Sequence, residues 1–278
     1  MSSDPCKNSI SHTDNNRAVM LPFTRDDINP DKPDSHRRTP LTWASRNGHE
    51  EVVRLLLARD DVNPDNPDNF SQTPLWVASS NGHEGVVRLL LARNDVNPDN
   101  PDNYGRTPLR PASSDGHEGV VRLLLARDDV KPDKPDNNGR TPLWWASFYG
   151  HEEVVRLLLA RDGVNPDKPD NNDETPFEWA SAKGHEGVVR LLLAQVAVNP
   201  DKPDNNGRTP LWWASRDGHE GVLRLLLARD DVNPNRPDND GGTPLRQASS
   251  NGHEGVVRLL LARDAAHLDK PDDNGVTS

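Results

Sequence analysis

The sequence predicts a mainly α fold, a solenoid of seven stacked 34-residue units, each a pair of short helices joined to the next pair by a short β-hairpin. Two in-phase signals and one composition fact predict it. Thr-Pro recurs at 39–40, 73–74, 107–108, 141–142, 175–176, 209–210 and 243–244. Gly-His-Glu follows in step at 48–50, 82–84, 116–118, 150–152, 184–186, 218–220 and 252–254. With 32% hydrophobic residues, 25 Pro and 19 Gly in 278 residues, the chain is too rich in turn formers for one large core.

Taken in chain order, residues 1–17 form a polar tail expected to be disordered. Residues 18–33 are expected to be a degenerate capping half-repeat: Arg25-Asp26-Asp27-Ile28-Asn29-Pro30 echoes the later linkers, while Pro22 interrupts the helix and Pro5-Cys6 stands where Thr-Pro belongs. The repeat domain spans 34–271, divided as 34–67, 68–101, 102–135, 136–169, 170–203, 204–237 and 238–271. Residues 272–278 begin an eighth unit. The seventh unit keeps Val256, Val257, Leu259, Leu260 and Leu261 like an interior copy, although a solenoid needs a polar terminal cap. Three outcomes are open: the tail 265–278 folds over these leucines, copies pair end to end, or the chain is a truncated relative of a longer protein.

Within a unit, Thr39 is an N-cap and Pro40 at the first helical position gives up a donor that has no partner there anyway. Leu41, Ala44 and Ser45 share one face of a helix about two turns long, and Gly48 ends it. A second helix starts near Glu50. Its apolar residues Val52, Val53, Leu55, Leu56 and Leu57 span a wider arc than a one-sided helix needs, so it must be covered on two sides. Glu50 and Arg54 stand at i and i+4, an ion pair expected in every copy. The arginine ladder 54, 88, 122, 156, 190, 224 and 258 reads as a solvated outer face rather than a nucleic-acid footprint. Linkers such as 129–139 are dense in Asp, Asn, Pro and Gly and favour a projecting loop or hairpin.

The pattern Gly-Arg-Thr-Pro-Leu-x-x-Ala-Ser-x-x-Gly-His-Glu-x-Val-Val-Arg-Leu-Leu-Leu-Ala resembles the ankyrin repeat, over about 33–271. The Asp-Val-Asn-Pro-Asp-Lys-Pro-Asp linker resembles that of the large ankyrin arrays of filamentous fungi. The resemblance implies an L-shaped unit of hairpin and two helices, a concave face made by hairpins and first helices, and a protein-binding role. The usual unit is about 33 residues long, so the hairpin here is altered. The histidine usual after Thr-Pro-Leu is replaced by Thr42, Trp76, Arg110, Trp144, Glu178, Trp212 and Arg246.

Helical phase places the varied surface. Stepping about 100° per residue from Leu41, positions 42, 43, 46 and 47 fall on the side opposite the frame, and there the copies differ most. Units four to six hold five of the seven Trp, with Trp144, Trp145, Phe148, Tyr149, Trp212 and the charged Glu178, Lys183, Arg216 and Asp217 at these positions. Aromatic anchors ringed by charge are the composition of a binding hot spot, so these nine residues form the expected partner site. Trp76 and Arg110 extend it, and Arg110 is placed to stack on Trp76 or Trp144. The second-position residues Trp43, Trp145, Trp179 and Trp213 also read as packing in the angle between first helices and hairpins.

Enzymatic chemistry finds no support. The seven histidines of Gly-His-Glu fall one per unit, 34 residues apart, and cannot converge on a metal, so they read as buried turn stabilisers. Linker aspartates lack calcium-loop spacing, with Lys134 in the first ligand position. No nucleophile elbow or phosphate loop occurs, and Cys6 has no identifiable base. No cofactor is expected. A single cysteine points to a reducing compartment, cytoplasmic or nuclear, and no apolar run is long enough for a signal or membrane span. A net charge of −11 disfavours duplex nucleic acid. The expected function is a non-catalytic scaffold binding a protein or peptide on its concave face, with end-to-end self-association as a further partner mode. The alternatives are a small-molecule or enzymatic groove using Glu178 or Asp217 as acid–base group, and a fragment of a larger multidomain protein.

Overall fold

The computed structural model describes residues 28–268, with side chains through Arg263. The tail 1–17, all but the last residues of the half-repeat, and residues 272–278 lie outside the described residues. Fourteen helices are described, two per repeat layer. The first helices are α1 (Pro40–Arg46), α3 (Pro74–Ser80), α5 (Leu109–Ser114), α7 (Pro142–Tyr149), α9 (Pro176–Ala182), α11 (Pro210–Asp217) and α13 (Pro244–Ser250). The second helices are α2 (Glu50–Leu57), α4 (Glu84–Leu91), α6 (Glu118–Leu125), α8 (Glu152–Leu159), α10 (Glu186–Leu193), α12 (Glu220–Leu227) and α14 (Glu254–Leu268). Each helix packs on its partner and on the same helix of the next layer.

The wide apolar arc of the second helices is consumed by this stacking. In α4 both Val86 and Val87 are fully buried, but at the first layer Val52 is exposed while Val53 is buried, and at the last Val256 is buried while Val257 is only partly so. The first valine therefore faces the preceding layer and the second the following one. Burial of apolar area on both flanks supplies most of the stabilisation that helices of eight residues lack alone.

Threonine caps six first helices, as in α7, where the Thr141 hydroxyl accepts from the Trp144 amide at 3.1 Å. Layer three departs. Pro111 has no N–H to give the Thr107 carbonyl, so α5 starts one residue late and the Thr107 hydroxyl is buried without a partner. The ion pair expected in every second helix forms at i, i+4 in α10, α12 and α14. In α2 and α8 the arginine turns instead to Glu51 and Glu153 at i, i+3. Both of these helices carry a second glutamate of their own one residue on, and the arginine pairs with that residue.

The linkers contain no β-strand among the described residues, which corrects the expected hairpins. Each is a tight turned finger built on one aspartate. Asp68 Oδ1 accepts from the Phe70 and Gln72 amides at 2.8 and 2.9 Å, and Asp102 does the same for Tyr104 and Arg106. Their hydrogen bonds run between layers instead of along a ladder: the Asn103 amide donates to the Phe70 carbonyl at 3.0 Å and its side chain to the Asn69 carbonyl at 3.2 Å. Deeper in the linker, Asp65 accepts from the Asn97 amide at 2.8 Å. The extra residue and the prolines thus become an inter-layer zipper, satisfying backbone groups that a strand would otherwise pair.

Candidate functional site

The position after Thr-Pro-Leu is not on the open face. It lies about 100° round the helix from Leu41, on the flank, and stacking covers flanks. Trp144 is only 1% exposed and Glu178 3%, and Trp76 and Trp212 are buried as well. Helical phase for an isolated helix put these four on the partner surface; the neighbouring layer takes that place. Their role is to join layers. Trp76 Nε1 donates to the Arg106 carbonyl at 3.0 Å, Trp144 to Glu174 at 3.2 Å and Trp212 to Gly242 at 3.0 Å, each just before the next Thr-Pro. The indole thus supplies an inter-layer bond at the position that the repeat pattern usually gives to histidine.

The Gly-His-Glu histidines also bond across layers rather than within their turn. His185 Nε2 lies 3.0 Å from the Phe148 carbonyl, and the same contact joins every consecutive pair of layers. Each ring rests on the preceding layer's glycine, which sits at positive φ; a Cβ on Gly150 would stand 2.6 Å from the His185 ring. Among the described residues no group of three or more His, Cys, Asp or Glu could hold a metal ion.

The open face is carried by the other varied positions. Tyr149 is 50% exposed and Lys183 is exposed, while Trp145, Phe148, Arg216 and Asp217 are partly so. These side chains form a continuous strip over layers four to six. Trp145 stacks on Tyr149 at 6.0 Å, Phe148 meets Tyr149 at 4.9 Å and Trp179 at 5.0 Å, and Trp179 stacks on Trp213 at 6.3 Å. Trp144 underlies the strip, stacked on Phe148 at 5.4 Å.

Cations alternate with the rings. Arg110 lies 3.9 Å over Trp145, not on Trp76 or Trp144, because its layer brings it across the second varied position of layer four. Lys183 lies 5.1 Å over Phe148, and Arg216 4.2 Å over Trp213. Arg216 is also tied to Asp217 by two hydrogen bonds of 2.7 and 3.0 Å, whereas Arg110 and Lys183 have no carboxylate partner among the described residues. Burial pulls the Arg110 guanidinium below its ordinary range. Burial, with repulsion from Asp204 and Glu174, pushes the Glu178 carboxyl up to about 8. It is therefore a neutral acid beneath the strip at pH 7.

Arg140 and Arg208, absent from the expected site, complete it: Arg140 lies 4.4 Å over Trp144, and Arg208 4.3 Å over Trp213. The sequence carries a signal for them, since Arg38, Arg140 and Arg208 each precede Thr-Pro and stand five residues before a tryptophan. A neighbouring cleft of about 500 Å³ lies between layers six and seven and shares Arg208 and Trp212 with the site, with Asp238, Asp240 and Arg246 among its other lining residues, and neither Trp144 nor Glu178 reaches it. Among the described residues no helix is long and apolar enough to cross a membrane.

The chain matches the family model described as "Ankyrin repeats (3 copies)" over residues 61–136, 128–204 and 194–272, and the "Ankyrin repeat" model over 36–69. Nothing among curated proteins matches it. Among solved structures it is similar to the human ASB11 ankyrin repeat domain, 27% identical with a TM-score of 0.70, covering 81% of this chain and 98% of that one. It is also similar to the ankyrin repeat domain of Bcl-3, a member of the IkappaB protein family, 28% identical with a TM-score of 0.67, covering 80% of this chain and 98% of that one.

Proposed function

The chain belongs to the ankyrin repeat family, whose fold generally mediates protein–protein interaction, and from that premise we propose a non-catalytic scaffold that grips a protein or peptide on its concave face. The site we assign is centred on layers four to six: Trp145, Phe148, Tyr149, Lys183, Arg216 and Asp217 touch the partner, and Arg110 borders it. Trp76, Trp144, Trp212 and Glu178 act beneath the contact surface. The observation that carries this reading is the partly exposed aromatic strip interleaved with cations, two of which have no carboxylate partner among the described residues. Large rigid rings lose little entropy on binding, and cations stacked on them are pre-positioned for a partner's acceptors.

The catalytic alternative is disfavoured by the same geometry. Glu178 is buried as a neutral acid, and Asp217 is held by Arg216, so neither presents a free carboxylate to a substrate. The single Cys6 keeps a cytoplasmic or nuclear setting as part of the proposal.

Photo-crosslinking tests the site. A benzophenone side chain placed at Tyr149 is expected to capture a partner in cells, with capture reduced by Lys183→Glu, while the same group at Arg156 on the outer helix captures none of it. Equal capture of the same partner from Arg156 overturns the assignment.

A further inference from the structure

Both ends of the described stack are open in the way that its internal faces are closed. At the first layer Leu55 is 55% exposed, and at the seventh Leu261 is 52% exposed. Every glycine of Gly-His-Glu from Gly48 to Gly218 holds the next layer's histidine ring, but nothing lies within 4 Å of a Cβ built on Gly252. At the other end His49 is exposed and bonds to no carbonyl among the described residues.

Taken together these two ends resemble the junction of layers three and four, which the second glutamate of layer one selects, since residues 250–261 also equal residues 80–91 of layer two. Residues 250–261 of layer seven repeat residues 114–125 of layer three with a single change, Asn251 for Asp115. Residues 49–57 of layer one, His-Glu-Glu-Val-Val-Arg-Leu-Leu-Leu, are identical to residues 151–159 of layer four. Only layers one and four carry that second glutamate. The junction of layers three and four is built from His151 to the Ser114 carbonyl at 2.9 Å, Arg122 to Glu153 at 3.5 Å, and Arg110 stacked 3.9 Å over Trp145. The same three pairs recur at the ends: His49 with Ser250, Glu51 with Arg258, and the exposed Trp43 with the exposed Arg246. The first helix of the seventh layer repeats that of the third except at Gln247 and Asn251, which stand for Pro111 and Asp115.

We propose that the seventh layer of one copy takes the first layer of a second copy, in the register of the junction between layers three and four. The contact is heterologous, so each copy offers one of each face and assembly is open-ended. α14 runs on to Leu268 where the other second helices stop at the third leucine, so residues 262–268 continue the helix where the interior linkers turn.

Sedimentation velocity of the full chain from about 1 to about 300 µM, the range in which a layer-sized contact assembles, reads the mass. The expected result is a weight-average mass that climbs with concentration beyond that of a dimer. Leu55→Arg spoils only the first face and Val257→Arg only the last, so each variant alone is expected to stay monomeric. Mixed one to one, they have a single intact pairing and are expected to form a dimer and stop. Circular dichroism and thermal melting establish that both variants are folded. A wild-type chain that stays monomeric over the whole range overturns the proposal, as does a folded variant that still dimerises alone, or a folded mixture that does not pair.

Discussion

At the scale of single residues, one varied position does two jobs in two kinds of layer. Trp144 is a frame residue: it bonds the Glu174 carbonyl and backs Phe148. Trp144→Ala should cost about 3–5 kcal/mol in urea unfolding. Trp144→Phe, which keeps a ring and removes only the indole donor while the Asp170 amide still bonds that carbonyl at 2.9 Å, should cost about 0.5–1.5 kcal/mol. Tyr149→Ala on the open strip should change stability by about 0.5 kcal/mol or less. Glu178 gives a pH signature. Its folded pKa of about 8 stands above the ordinary 4.5, so the folded state holds a proton that the unfolded state has released. Stability from this group is fully present below about 4.5 and is lost as pH rises towards about 8. The linker aspartates Asp65, Asp99, Asp133, Asp167 and Asp201 are also raised by burial and act in the same direction at lower pH. Glu178→Gln should therefore flatten the curve of melting temperature against pH between about 4.5 and about 8. An unchanged slope there would place the carboxyl in water. Asp173 sits at φ +63°, where the equivalent residues 105, 139, 207 and 241 are glycine. Asp173→Gly should stabilise by up to about 1 kcal/mol, read from the urea midpoint.

At the scale of elements, Pro111 breaks the rule that the other layers follow. It has no N–H for the Thr107 carbonyl, which takes the Arg110 amide at 3.0 Å instead, and the buried Thr107 hydroxyl is left without that donor. Pro111→Val, the residue of layer two, should restore the cap and raise stability by about 1 kcal/mol; an equal loss would mean that the ring's packing outweighs the cap. Helix positions were legible in the sequence because Thr-Pro, Gly-His-Glu and the leucine run are local signals with direct physical causes. The fingers were not: turn composition announces Asp-Asn-x-Gly, but whether their hydrogen bonds close a hairpin or run to the next layer depends on the stacking distance. The site was half legible for the same reason. Trp145, Phe148, Tyr149 and Lys183 follow from helical phase alone, while Trp144 and Glu178 are decided by a neighbour that phase does not contain. Arg140 and Arg208 lie in the fingers, outside the first helices to which the phase argument applied.

At the scale of the whole molecule, layers couple only to their neighbours, through one histidine, the finger asparagines and linker aspartates, the two valine faces and, in three layers, an indole. Interior layers are held from both sides and end layers from one. Hydrogen exchange at low micromolar concentration should thus be slowest in α7 to α10 and fastest in α1 and α13. On and just after the outer helices Glu50, Asp60, Asp61 and their counterparts are exposed beside the arginine ladder, while Arg110 and Lys183 on the aromatic strip have no carboxylate partner among the described residues. The rings and cations gathered on that strip are what the binding proposal rests on. The most direct test is the affinity of a partner identified by crosslinking, measured by titration calorimetry for two paired substitutions. Tyr149→Ala with Lys183→Ala removes the exposed centre of the strip, and Arg156→Ala with Arg190→Ala removes an equal number of exposed side chains from the outer helices. We predict a loss of about tenfold or more for the first pair, about 1.4 kcal/mol, and a change within about twofold for the second. A larger loss from the outer pair than from the strip would contradict the assignment.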